Sequence, residues 1–176
     1  MSIGHLAERA TTAAKAAAVP SVRPALVRDL ESVVALRVAL LREHPEHPIY
    51  GRLRAEVDRR ARELFAGQLR SKMECILLAE LDGEVVGIMR CVESIGSPLL
   101  EPARYAYVSS VYVRPESRRR GVLRAMLSEA ERWCRARGLD QMRLHNVGGT
   151  SAEWAWDALG FAVVEQVRLR QLAPLG

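Results

Sequence analysis

Residues 105–113, Tyr-Ala-Tyr-Val-Ser-Ser-Val-Tyr-Val, are followed a few positions later by Arg118-Arg119-Arg120-Gly121-Val122-Leu123. The first stretch is rich in β-branched and aromatic residues and reads as a strand. The second is a short basic turn with a helical stripe directly behind it. Val122, Met126, Ala130, Trp133 and Cys134 share one face of a helix predicted from about Arg119 to Arg137 and closed by Gly138. A strand that runs through a basic, glycine-containing turn into a helix N-terminus makes an anion site. The first helical N–H groups lack an intrahelical partner, and the aligned peptide dipoles place roughly half a positive charge there. Arg118, Arg119 and Arg120 add mobile charge suited to a polyphosphate. Gly121 lets the backbone approach a pyrophosphate with no Cβ between them.

Working outward, Ser-Val-Arg-Pro-Ala-Leu-Val-Arg-Asp (21–29) reads as a first strand ending at Asp29, a residue suited to N-cap the next helix. Leu30, Val33, Val34, Ala35, Leu36, Leu40 and Leu41 form a helical stripe, broken at 42–51 by two prolines. A charged helix over about 52–69 carries Leu53, Val57, Leu64 and Phe65 as its apolar face. Two apolar runs flank Asp82-Gly83, a pair that suits a type I′ turn, so 75–94 is a β-hairpin. Downstream, 140–147 is a further strand, 150–159 a short helix ended by Gly160, and 161–172 a last strand. There is no internal repeat. The chain reads as one domain over 21–176 behind an Ala-rich tail or extra helix at 1–20.

At 176 residues and 49% hydrophobic content the chain can bury a sizeable core. Its formal charge of +5 favours anionic partners. Cys75, Cys91 and Cys134 are odd in number and sit in apolar contexts, which points to reduced core thiols and a cytoplasmic location. No apolar run reaches membrane-spanning length, and the tail lacks the apolar stretch of a signal peptide.

In order and in motifs, the chain resembles the GCN5-related N-acetyltransferase (GNAT) superfamily from about Val22 to Leu172. Three segments carry the likeness. Val111-Tyr112-Val113 matches the apolar-x-apolar strand whose backbone pairs with the pantetheine arm of acetyl-CoA. Arg118 to Leu123 matches the pyrophosphate turn Gln/Arg-x-x-Gly-x-Gly/Ala, and Ala152 with Leu159-Gly160-Phe161 matches the late helix-to-strand signature. The resemblance implies an α/β single domain. Its mixed, bent sheet would have about six to seven strands, flanked by about four helices. The strands at 104–113 and 140–147 would part near Ser109 and Ser110, freeing backbone groups for pantetheine. Val111, Tyr112, Val113 and the turn from Arg118 through Arg119, Arg120, Gly121, Val122 and Leu123 to Arg124 would then hold acetyl-CoA as cosubstrate.

The chain departs from the family at three places. Leu123 stands where Gly or Ala is usual, so its side chain has to turn into the core to clear the diphosphate. Trp156 stands where many members have the Tyr that protonates the thiolate, and an indole N–H cannot act as an acid. Neither Tyr107 nor Ser109 is the carboxylate that members often carry on this strand. The resemblance therefore leaves Glu93 as the carboxylate nearest the acceptor cleft, unless it is a solvated strand-end residue. Tyr107 is either a hydrogen-bonding partner of acceptor or thioester, or a core tyrosine. The N–H of Val111 would donate to the oxyanion by analogy. Trp156 either packs with Trp154 on the last strand or orients the thioester.

His44 and His47, in a proline-flanked loop without a third ligand, read as loop residues rather than a metal pair, and the resemblance implies that they form a lip of the acceptor site. No metal is expected. His145 reads as structural.

The implied activity is transfer of an acetyl group from acetyl-CoA to a primary amine of a small molecule or protein, by direct attack on the thioester. Two alternatives stand beside it: a CoA-binding sensor that has lost turnover, and a basic nucleic-acid binder. The second lacks interleaved exposed aromatics and a recognised motif, so no nucleic acid is expected, nor a membrane partner. The last strand offers an edge to a second copy, which leaves a homodimer open.

Overall fold

The computed structural model describes residues 18–172. Most of the expected tail, residues 1–17, lies outside them. The apolar runs assemble into a five-stranded sheet in the order β1-β2-β3-β4-β5. β1 (Ser21–Pro24), β2 (Glu74–Leu81), β3 (Glu84–Ile95) and β4 (Arg104–Val113) are antiparallel neighbours. β5 (Met142–Leu144) runs parallel to β4. Helices α1 (Leu30–Arg42) and α2 (Val57–Gln68) cover one face; α3 (Val122–Ala136) and α4 (Ser151–Asp157) cover the other.

Burial on both faces explains why β2 reads as an unbroken apolar run. Leu77, Ala79 and Leu81 point toward α3, whereas Ile76 and Leu78 meet α1 and α2. The β2–β3 turn has positive φ at both Asp82 (54°) and Gly83 (83°), as a type I′ hairpin requires. All three cysteines are free thiols. Burial pushes the Cys75 thiol up to about 11 and raises Cys91 and Cys134 as well, so they behave as core residues.

Gly87 on β3 seats α3. A Cβ there would meet Val122 Cγ1 at 3.2 Å, with Ala79 Cβ and Met126 Cε both at 3.3 Å. The bare backbone lets the first turn of α3 lie directly on the sheet.

Three local expectations need correction. The apolar face of α2 is Val57, Ala61 and Phe65, at i, i+4 spacing, while Leu64 is 56% exposed and Leu53 lies before the helix. Asp29 occupies the N-cap of α1 but does not cap it. Its carboxylate accepts from the Leu26 N–H and pairs with Arg23 at 2.7 Å, because that cation offers a stronger partner.

The strand predicted over 161–172 does not form, so the sheet has five strands rather than six or seven. Its β-branched and apolar residues are present, but Val163, Val164, Val167, Leu169 and Leu172 are all exposed. A strand needs an edge to pair with, and β5 offers only three residues.

Candidate functional site

The site grows from an irregularity in β4. On β3, Ile88 faces Tyr112 and Arg90 faces Ser109, so Met89 alone opposes Ser110 and Val111. Ser110 takes φ 53°, and the extra residue forms a bulge. On the other side of β4 the parallel ladder with β5 covers only Ala106 to Val108, ending at Val108 opposite Leu144. From Ser109 onward β4 has no strand partner on that side among the described residues. The strands part where the resemblance implies, at Ser109. Amide and carbonyl groups freed in this way must find a ligand or water. Val111 and Val113 pack toward α3, and Tyr112 is buried toward α1.

Past the end of β4 lies the basic turn. Arg119 (φ 59°) and Gly121 (φ 79°) are left-handed, and no side chain caps the N-terminus of α3. Such a turn gathers successive N–H groups into an anion-binding concavity at the positive end of the helix dipole. Val122 is buried. Leu123 packs against the α3-side core, so its side chain is turned inward.

The arginines divide the work. Arg118 donates Nε to the Val113 carbonyl at 2.9 Å, pairs with Glu43 and lies over the Tyr112 ring. It fastens the turn to β4 and to the end of α1. Arg120 reaches Asp82 at 3.1 Å at the exposed surface. Arg119 and Arg124 are exposed and form no ion pair among the described residues.

Around the parting of β4 and β5, the Tyr107 hydroxyl and His145 Nδ1 lie 3.1 Å apart. Burial above all, then Tyr50 and Tyr105, raise the Tyr107 phenol, which therefore stays protonated near neutral pH. Arg90, on the same face, donates to Ser109 Oγ at 3.2 Å and to Glu74 at 2.6 Å. Arg37 comes in from α1, and burial lowers its pKa, with Arg90 acting in the same direction. His47 stacks on Tyr50 in the loop between α1 and α2, and its Nδ1 accepts the N–H groups of Ile49 and Tyr50. That nitrogen holds the loop in shape.

Sequence reasoning did not single out Arg37, Tyr50 or Arg90, and it took His145 as structural. No spacing signal marks them, because their partners are set by the packing of separate elements.

Two residues singled out from sequence lie elsewhere. Glu93 is only 7% exposed, pairs with Arg104 and lies 3.6 Å from Arg137 Nε at the end of α3. Trp156 is buried in the α3-side core, edge-on to Phe161 at 5.2 Å, while Trp154 is exposed and does not pack with it. A shallow cleft of about 270 Å³ between α1 and the start of β3, lined by Glu31, Ser32, Ala35, Leu36, Val85 and Arg114, is separate from the splay. Among the described residues no cluster of His, Cys, Asp or Glu is placed to hold a metal.

A splayed β4 leading into a basic turn is matched by a family model for the acetyltransferase (GNAT) family over residues 36–161. The chain belongs to this family. It is a GNAT-type acetyltransferase. Among curated proteins it is 28% identical over 155 residues to an aminoglycoside N(6')-acetyltransferase type 1 of Klebsiella aerogenes, covering 85% of this chain and 93% of that one. A GCN5-related N-acetyltransferase of Ralstonia eutropha superposes with a TM-score of 0.71 at 20% identity, covering 87% of this chain and 99% of the other. A predicted acetyltransferase from Clostridium acetobutylicum, solved with acetyl-CoA, gives 0.69 at 17% identity, with 86% and 96% covered. Among the described residues of this GNAT protein, no helix is long and apolar enough to cross a membrane.

Proposed function

We propose that this GNAT protein transfers an acetyl group from acetyl-CoA to a primary amine by direct attack of the amine on the thioester. One observation carries the reading: β4 loses its β5 partner after Val108 and then runs into an uncapped helix N-terminus flanked by Arg119 and Arg124, which form no ion pair among the described residues. The backbone of Val111, Tyr112 and Val113 would pair with the pantetheine amides. The N–H groups from Arg119 to Arg124, with the side chains of Arg119, Arg120 and Arg124, would hold the diphosphate. Acetyl-CoA supplies an activated carbonyl and a thiol of pKa about 8.5 as leaving group.

The chain's own residues would orient and deprotonate the acceptor. Tyr107 donates its hydroxyl at the mouth of the splay, His145 beside it takes the amine proton, and the Val111 N–H faces the developing oxyanion. Glu93 and Trp156 are assigned to the framework rather than to the reaction, on the strength of their ion pairs and burial. The name of the Klebsiella relative supports an amine acceptor. The exposed apolar segment 161–172 supports a homodimer in which a second copy covers it, and a monomer in analytical ultracentrifugation would count against that.

The test is calorimetric titration with acetyl-CoA. The wild type should bind saturably, and Gly121→Glu should not, because it strains a φ of 79° and adds a negative charge at the diphosphate. Binding that survives this change would refute the placement. Saturable binding with no thiol release over a broad amine panel would favour the sensor reading, which the absence of an acid at Trp156 supports.

A further inference from the structure

Arg118 opens the basic turn, yet its guanidinium is engaged by the protein itself. Nε donates to the Val113 carbonyl at 2.9 Å and Nη2 donates to the Glu43 carboxylate. Its Cζ lies over the Tyr112 ring, 5.7 Å from the centroid. The Val113 carbonyl belongs to the open side of β4. The Arg114 N–H goes to the Val86 carbonyl on β3 at 2.8 Å, and alternation along an antiparallel pair turns the preceding carbonyl the other way. Arg118 therefore closes the end of the edge offered to pantetheine.

Between these contacts the chain makes one tight turn. Pro115–Ser117 is a single 3-10 turn, in which the Ser117 N–H donates to the Arg114 carbonyl at 2.9 Å and Ser117 is buried. The Arg118 side chain ties the two ends of 113–118 together. Arg119 comes next with φ 59°, a left-handed conformation that is costly for a residue with a Cβ and persists where its neighbours fix it. Glu43 supplies the fixed point. It sits at the C-cap of α1, whose Val33, Val34, Leu36 and Val38 are buried in the core. The helix dipole disfavours a carboxylate at that end, so the favourable interaction of Glu43 is with Arg118 rather than with α1.

Resting on the acyl-transfer reading above, we infer that Glu43 is a positioning residue for acetyl-CoA. Through Arg118 it holds the strained turn in its anion-binding shape before the cofactor arrives. Arg118 is a strut rather than a diphosphate ligand. A turn preorganised in this way loses less freedom on binding, which raises affinity with no contact from Glu43 to the ligand.

The experiment is a double-mutant cycle read by calorimetric titration with acetyl-CoA. It uses the wild type, Glu43→Ala, Arg118→Ala and both changes together, with a thermal melt of each. Glu43→Gln is the conservative variant, keeping a hydrogen-bond acceptor without the charge, and it replaces Glu43→Ala in the cycle if that protein does not fold. Failure of the wild type to bind would refute the acyl-transfer reading, and the inference with it.

Glu43→Ala should weaken acetyl-CoA binding about 5- to 30-fold, the range for a partly exposed charge-assisted bond. Glu43→Gln should lose less and melt close to the wild type. Arg118→Ala should match Glu43→Ala, and the two changes together should cost little more than either alone, because both break one strut. Unchanged or tighter binding in Glu43→Ala overturns the inference. So does a much larger loss in Arg118→Ala, which would make Arg118 a diphosphate ligand, or losses that multiply in the double variant. A loss of affinity in Glu43→Gln that comes with a fall of many degrees in melting temperature would make Glu43 a residue of the fold, and overturns it too.

Discussion

Gly87→Ala should loosen the protein and its cofactor site together. The added methyl would stand 3.2 to 3.3 Å from three neighbours that differ in how easily they yield. Ala79 Cβ is fixed to β2. Val122 is β-branched in the first turn of α3, and its χ1 has little freedom to change. Only the Met126 methyl, the end of a flexible chain, can swing aside. Relief therefore has to come from the helix itself, whose first turn would lift by a few tenths of an ångström. Overpacking of this kind costs about 1–3 kcal/mol. In a domain of this size that lowers the melting temperature by about 2–4 °C for each kcal/mol.

The same displacement moves the N–H groups of Val122 and Leu123, so acetyl-CoA affinity should fall alongside stability. Urea denaturation and calorimetric titration of one preparation measure the two effects. Val122→Ala removes the nearest contact, so Gly87→Ala and Val122→Ala together should be less damaging than the sum of the single changes. A coupling of about 0.5 kcal/mol or more is expected for touching residues. If Gly87→Ala melts and binds acetyl-CoA as the wild type does, or if the two changes simply add, close packing at Gly87 does not seat the turn.

Two further outcomes follow from the ion pairs. Glu93→Gln should cost about 1–3 kcal/mol by leaving Arg104 and Arg137 short of their counter-ion. It should keep kcat within a few-fold and leave the pH–rate profile unchanged, whereas loss of a general base would cost about 10²–10⁴ in rate and remove the acidic limb. Asp29 is held below its ordinary pKa, first by its hydrogen bonds from Arg23. Its folded value then lies below its unfolded one of about 3.9, so its contribution is complete above that pH and lost as the pH falls through the folded value. Asp29→Asn should thus cost about 1 kcal/mol at pH 7, and the gap to wild type in urea unfolding should close toward pH 2. A gap that persists there contradicts the assignment.

Much of this GNAT protein was legible along the chain because its signals are local. Asp82-Gly83 determines its own turn through two positive φ values, and Gly121 takes a positive φ between a strand and a helical stripe. The stripe Val122, Met126, Ala130 and Cys134 identifies the buried face of α3 before any partner is known. Tertiary structure decided the remainder. The apolar content of 161–172 suits a strand, but pairing depends on a partner edge, and β5 is too short to provide one. Glu93 reads as an exposed strand-end acid until Arg104 and Arg137 arrive from β4 and α3 to neutralise it. Tyr107 on β4 and His145 just past β5 meet through their side chains, and nothing in their spacing predicts it. Charge and hydrogen-bond partners are properties of distance in space, which the one-dimensional order of residues does not contain.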